Sequence, residues 1–156
     1  MPAPSSTSRS ARYRLGCRPY APCVRIDLHT HSSASDGTQQ PAQLVRQAVA
    51  AGVDVIALTD HDTFAGIPAA AAAAAQADLT VVTGAELSAT AGGISVHVLA
   101  YLVDPDHPAL AAELARSRAE RAQRAELIVA RCIALGAPIS WPQVVELAAA
   151  GATDST

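Results

Sequence analysis

The chain alternates short apolar runs with longer segments of helical period. Residues 24–28 are largely apolar and β-prone and predict a buried strand. After a polar turn at 32–37, Leu44, Val45, Ala48 and Val49 form an apolar stripe at helical spacing. Pro41 suits the first turn of that helix and Gly52 its end, so the spacing predicts a helix over 41–51. A second apolar run, 53–58, predicts a strand, and the alanine-rich stretch 64–77 predicts a helix. Strands follow at 79–82 and 94–101, with Gly92-Gly93 turning the chain between them. Beyond a loop at 104–108, a long helix is predicted over 109–135, stopped by Gly136 and Pro138, then a second over 141–150. Leu110, Leu114, Leu127, Ile128 and Leu135 give the long helix an apolar face at its two ends. Arg116, Arg118, Arg121 and Arg124 dominate between them, with Glu120 spaced to pair with Arg124. Strand–helix–strand–helix–strand, then strand, predicts an α/β fold with parallel neighbours.

Chemistry gathers where these strands end. His29 and His31 are two residues apart, so on a strand they share a face and can chelate one metal ion. The turn 32–37 swings Asp36 back towards them. The strand at 53–58 runs straight into Asp60-His61-Asp62, three ionisable groups that an apolar strand has no structural need for. His61 reads as a ligand, while the aspartates alternatively cap the following helix. Glu86 stands in the same relation to the third strand, and a carboxylate can bridge two cations. His97 lies inside the fourth strand with parity opposite to Val96 and Val98, so it faces away from them. Polar clusters at the C-terminal ends of successive strands are the active face of a β/α barrel.

Composition narrows the classes. Half of the chain is hydrophobic but only 3% is aromatic, and the formal net charge is −3. That balance supplies no broad basic field for duplex DNA. No apolar run approaches the ~20 residues needed to span a bilayer. Three cysteines, Cys17, Cys23 and Cys132, have no metal-like spacing and predict no disulfide framework, which fits a reducing cytoplasm. Residues 1–22 are rich in Ser, Pro, Ala and Arg without an acid, and lack the apolar core of a secretory signal. Residues 1–23 are therefore expected to be a disordered or spurious extension.

Asp-Leu-His-Thr-His-Ser-x-x-Ser-Asp-Gly from Asp27, then Thr-Asp-His-Asp, Gly-x-Glu-Leu-Ser and His-Val-Leu-x-Tyr, in this order and spacing, resembles the PHP (polymerase and histidinol phosphatase) superfamily. Within it, the chain is most similar to small bacterial phosphoesterases acting on 3′,5′-bisphosphonucleotides and short RNA ends. The resemblance implies a distorted β/α barrel with up to three divalent metal ions, manganese first, with zinc or iron as alternatives. His29, His31 and Glu86 would hold one ion, Glu86 and His97 a second, and Asp36 and His61 the third. Asp27, Asp60 and Asp62 would serve as catalytic or orienting carboxylates, and Arg121 and Arg124 as donors to substrate phosphate.

The family domain continues further than this chain and supplies a later histidine and an Asp-x-His, which are absent here. The expected architecture is thus α/β, a partial (truncated) distorted β/α barrel with an inserted helical segment. Residues 24–104 form the N-terminal half of the barrel and 105–156 an incomplete insert. The expected function is metal-dependent hydrolysis of nucleotide phosphate esters by activated water, weak or absent in this chain alone. Its partners would be a small phosphorylated nucleotide or short RNA, with neither duplex DNA nor membrane, and a second copy through the open sheet edge. The alternatives are a histidinol-phosphatase-like enzyme, a non-catalytic metal-binding fragment, and an amidohydrolase. The last commonly needs a lysine, and this chain has none.

Overall fold

The computed structural model describes residues 23–153, so the expected extension at 1–23 lies outside the described residues except for Cys23. The elements are β1 (Ile26–Thr30), α1 (Pro41–Ala50), β2 (Val55–Leu58), α2 (Ile67–Ala74), β3 (Thr80–Ala91), β4 (Ile94–Tyr101), α3 (Pro108–Ala134) and α4 (Trp141–Thr153). The four strands make one sheet in the order β1-β2-β3-β4. β1, β2 and β3 are parallel, and β4 returns antiparallel to β3. The α/β class and the parallel neighbours are as the apolar pattern implied.

Two helices cover the sheet through short side chains. Val45 of α1 and Ala70 and Ala74 of α2 pack on Ile56 and Leu58 of β2 and on Leu79, forming the core. The alanine run earns its place through burial: Ala70 is wholly enclosed while its exposed neighbours face water. The core is small, because alanine removes little apolar area from water.

β3 departs from expectation. Its strand was predicted to end at 82, yet it runs twelve residues, to Ala91. Gly92 and Gly93 both adopt positive φ, 58° and 80°, which is the demand of a two-residue hairpin turn and suits glycine. That turn zips Ala91 against Ile94 and continues the ladder back to Gly84 opposite Tyr101. Glu86 and Ser88 therefore sit within a strand, with alternating parity, instead of in a loop. The sheet also curls: the Tyr101 hydroxyl of β4 donates to the Leu28 carbonyl of β1, the opposite edge strand, at 2.7 Å.

The outer surfaces are less covered than the pattern suggested. β1 begins two residues later than predicted and is an edge strand, with Ile26 and Leu28 exposed. In α3, Leu114 and Val129 are buried, but Leu127, Ile128 and Leu135 face solvent. The apolar face expected at the far end of α3 is uncovered among the described residues. Glu120 pairs with Arg116, not Arg124, because Arg116 forks between Glu113 and Glu120. Cys132 is a free cysteine, and Cys17 lies outside the described residues. Among the described residues no helix is long and apolar enough to cross a membrane.

Candidate metal centre

The bend after β1 is built around Ser32. Its carbonyl accepts the Ser35 and Gly37 N–H groups at 3.1 and 2.9 Å. A Cβ at residue 37 would stand 2.5 Å from the His31 carbonyl oxygen, a backbone atom that cannot yield cheaply. Glycine thus lets the chain close tightly and returns Asp36 to the histidines. Its Oδ1 lies 3.3 Å from His31 Nδ1, and its Oδ2 3.3 Å from His61 Nε2. Gly37→Ala is expected to cost about 1–3 kcal/mol of stability, the usual scale for an extra methyl group in a packed place. Comparing the urea unfolding midpoints of the two proteins checks this.

The sheet ladder positions the next two candidate ligands. The Glu86 amide donates to the Asp60 carbonyl at 3.2 Å, and the Asp62 amide to the Glu86 carbonyl at 3.0 Å. His61 is thereby bridged to Glu86 in parallel register. Four histidines surround this one buried carboxylate. Glu86 Oε2 is 2.9 Å from His29 Nε2, 3.0 Å from His31 Nε2 and 3.8 Å from His61 Nδ1. Glu86 Oε1 is 2.6 Å from His97 Nδ1. The rings form a continuous arc, with centroids 5.0, 4.8 and 4.9 Å apart from His29 through His31 and His61 to His97. All six residues singled out as ligands converge, in three overlapping groups: His29–His31–Glu86, His31–Asp36–His61 and His61–Glu86–His97. Within each, the donor atoms lie no more than 4.8 Å apart.

These residues fit a divalent cation. The Nδ1 atoms of His31 and His61 are buried without a hydrogen-bond partner; His31 Nδ1 approaches Asp36 at 3.3 Å but outside hydrogen-bonding geometry. Buried polar atoms are normally paired, and an imidazole nitrogen is a metal donor. Burial, outweighing the attraction of Asp36 and Glu86, pushes the His61 pKa below its usual value, which favours the neutral, ligating form. Burial pushes the Glu86 carboxyl up, but hydrogen bonds from His29 and His97 and the charges of His61 and His29 together outweigh it. The Glu86 carboxyl is therefore held below its ordinary value. Four imidazoles around one carboxylate would crowd positive charge if protonated; metal binding to neutral rings removes that conflict.

Asp27, Asp60 and Asp62 stand outside the three groups. Asp27 Oδ1 accepts the His29 amide at 3.2 Å. Asp60 is buried and accepts the Ser32 amide and hydroxyl and the Ser35 hydroxyl, each at 2.7 Å. It braces the bend that carries Asp36. Asp62 caps no helix: α2 starts at Ile67, with Gly66 before it and no side-chain cap. Its carboxylate instead accepts the Ser88 amide at 2.8 Å, the Ser88 hydroxyl at 2.7 Å and Arg121 Nη2 at 2.9 Å. Burial raises the Asp62 pKa, but the bonds from Ser88 and Arg121 and the Arg121 charge bring it below the ordinary value.

Arg121 thus clamps α3 onto the tip of β2, joined by Arg118, whose Nη1 donates to the Asp62 carbonyl. Arg124 lines the neighbouring groove. Arg118, Ser32, Ser35 and Ser88 were not singled out from sequence. Ser88 had a signal, because it follows Glu86 by two and so shares its face. Arg118 also had one, at i−3 from Arg121 on the helix.

The PHP domain pattern matches residues 27–131, which takes in the whole cluster and most of α3. A 5′-3′ exoribonuclease of Haemophilus influenzae is 40% identical over 124 residues, 80% of this chain and 45% of that protein. A 3′,5′-nucleoside bisphosphate phosphatase of Chromobacterium violaceum is 41% identical over 113 residues, covering 72% and 40%. A solved Bifidobacterium adolescentis structure, described by inference as a metal-dependent phosphoesterase, superposes with a TM-score of 0.75 at 34% identity over 85% of this chain and 45% of its own. The chain therefore spans less than half the length of the relatives it matches. Its curled half-barrel, its ordered histidine motifs and these likenesses agree, and the chain belongs to the PHP domain family.

Proposed function

We propose that this chain carries part of a metal-dependent phosphoesterase that hydrolyses phosphate esters of nucleotides, either 3′,5′-bisphosphonucleotides or the 5′ ends of short RNA. The observation that carries the proposal is the convergence of His29, His31, His61, His97 and Asp36 around the single carboxylate of Glu86. Relatives named as an exoribonuclease and a bisphosphate phosphatase support the substrate class. His29, His31 and Glu86 would hold one divalent ion and His61, Glu86 and His97 a second, with His31, Asp36 and His61 offering a third place. A cation there supplies Lewis-acid polarisation of a phosphoryl oxygen and a water acidic enough to act near neutral pH. Manganese is the ion we propose, with zinc and iron as alternatives.

The chain's own residues do the positioning. Asp60 holds the Asp36 bend, Asp27 steadies the His29 backbone, and Asp62 fixes α3, so that Arg121 and Arg124 face the groove as donors to phosphate. Arg121 uses only Nη2 for Asp62 and Ser88, leaving N–H groups on Nε and Nη1 for a ligand. Residues 24–104 are the proposed half-barrel and 105–156 the proposed insert. A formal charge of −3 suits a small phosphate ester better than long duplex DNA. A cytoplasmic setting is proposed on the free Cys132.

Turnover by these 156 residues alone is expected to be weak or absent. Each group offers three protein donors, and β1 and β4 are sheet edges among the described residues, open to pairing with a second copy. Phosphate release from adenosine 3′,5′-bisphosphate with manganese, beside a His29→Ala/His31→Ala control, tests the proposal. Any release should vanish in the control. Release that persists in the double variant would refute the site, and activity at the full level of the longer relatives would refute the expectation of weak turnover.

A further inference from the structure

The two edge strands of this sheet meet at the metal centre. β1 and β4 stand at opposite ends of the order β1-β2-β3-β4, and three strand spacings of about 4.8 Å would keep them about 14 Å apart in a flat sheet. Yet His29 of β1 and His97 of β4 both reach Glu86, at 2.9 and 2.6 Å. The Tyr101 hydroxyl spans the same gap to the Leu28 carbonyl. Register puts Tyr101 on the face that carries Glu86. Gly84 is directly opposite Tyr101, Glu86 opposite Leu99 and Ser88 opposite His97, and opposed residues share a face with those two apart on the same strand. Gly84 adds no side chain at that rung, so nothing from it stands in the path of the Tyr101 ring. The end of β4 is pinned there, because Leu102 turns out of the strand at φ 56° and its amide donates to the Thr83 carbonyl at 2.8 Å.

His29 is the cluster histidine that the sheet holds least. Asp27 pairs with Ile56 and Thr30 with Leu58, so three steps along β1 match two along β2. The extra residue falls at Leu28–His29, a bulge at which regular pairing lapses and a side chain can be re-aimed. Packing does little to fix the ring either: the His29 side chain is 51% exposed, against 22% for His31 and 11% for His61. What grips this stretch is the planar peptide group between Leu28 and His29. Its N–H donates to Asp27 Oδ1 at 3.2 Å, and its carbonyl accepts the Tyr101 hydroxyl at 2.7 Å. Fixing both ends of a planar group fixes its orientation, and with it the direction in which the His29 side chain leaves the strand.

We propose that Tyr101 is a positioning residue of the metal centre: its hydroxyl fixes the Leu28–His29 peptide and so aims the His29 ring at Glu86. The proposal rests on the metal-centre reading of the cluster and deepens it, because it makes the affinity of one group, His29–His31–Glu86, depend on a hydrogen bond made outside that group. His97 does not need the hydroxyl, since the unbroken β3–β4 ladder holds it.

Manganese titration of the full chain, followed by the paramagnetic signal of the free ion, tests this. Tyr101→Phe keeps the ring and removes only the hydroxyl. In His97→Ala, where the His29 group is intact, adding Tyr101→Phe should weaken manganese binding about tenfold, the lower end for a partner that orients a ligand. In His29→Ala, where that group is already broken, adding Tyr101→Phe should change nothing. Such non-additivity marks a hydroxyl that acts through His29, whereas a merely structural role would weaken both backgrounds alike. Imidazole NMR of the metal-free chain gives a second readout: Tyr101→Phe should shift the ring nitrogens of His29 and leave those of His97 in place. Equal effects in the two backgrounds, no effect in His97→Ala, or an unmoved His29 ring would overturn the proposal while the metal reading stands. A wild type that takes up no manganese would overturn the metal reading itself, and the proposal with it.

Discussion

Glu86→Gln is expected to weaken manganese binding by at least about a hundredfold, since even a residue that merely supports a ligand commonly costs ~10–100-fold. The substitution keeps the size of the side chain and replaces one carboxylate oxygen with an amide NH₂, which donates hydrogen bonds and cannot ligate. Glu86 Oε2 faces His29 and His31 while Oε1 faces His97, so either orientation of the amide disables one of the two groups that share it. The lost negative charge removes the counterpart to two cations at once. His97→Ala should have a smaller effect, because His97 belongs to one of the three groups and Glu86 to two. Titrating manganese into both variants, followed by the paramagnetic signal of the free ion, gives the order. Equal losses would mean that Glu86 does not bridge.

Asp62→Ala is expected to destabilise the fold by about 3 kcal/mol, at the lower end for breaking a buried ion pair. The carboxylate is fully enclosed. Its removal strands the Ser88 amide and leaves the clamp between α3 and the tip of β2 without an acceptor. The lower end is appropriate because the Arg121 side chain retains 37% exposure and can turn to water. Alanine would also occupy a left-handed backbone position, φ 53°, which aspartate tolerates better.

The acid dependence has a definite sign. The folded-state pKa of Asp62 lies below its ordinary value of 3.8. The unfolded chain therefore binds the proton first as pH falls. The contribution of Asp62 is fully present above about pH 4 and is lost as pH drops through the lower folded value. Urea unfolding of the wild type and of Asp62→Ala at pH 7 and pH 3 should show a gap that narrows in acid. A gap independent of pH would indicate that the carboxylate is not the group at work.

Why some of this was legible in sequence and some was not follows from the range of each interaction. The spacing of His29 and His31, the polar tip after 58 and the parity of His97 are local, and the structure brings those residues together. The length of β3 was also local, written in Gly92-Gly93, but the hairpin it forms extends pairing back through Glu86 to Gly84. A strand end judged from apolar content alone misses that. The aspartates are different. Whether Asp60 and Asp62 ligate, cap or brace depends on Ser32 and Ser35, 28 and 25 residues away, and on Arg121, 59 residues away. Composition cannot distinguish a carboxylate facing imidazole from one facing serine. Nor can helical periodicity tell an apolar stripe that is covered from one that is not, and in α3 Leu114 is covered while Leu127 is not.

The most direct measurement is the manganese content of the folded 156-residue chain after equilibrium dialysis, beside the same measurement on His29→Ala/His31→Ala. If the histidine–Glu86 cluster is a metal centre, the wild type retains at least one ion per chain and the double variant loses one. Folded wild type that retains no manganese, zinc or iron, or a double variant that retains as much as the wild type, would contradict it.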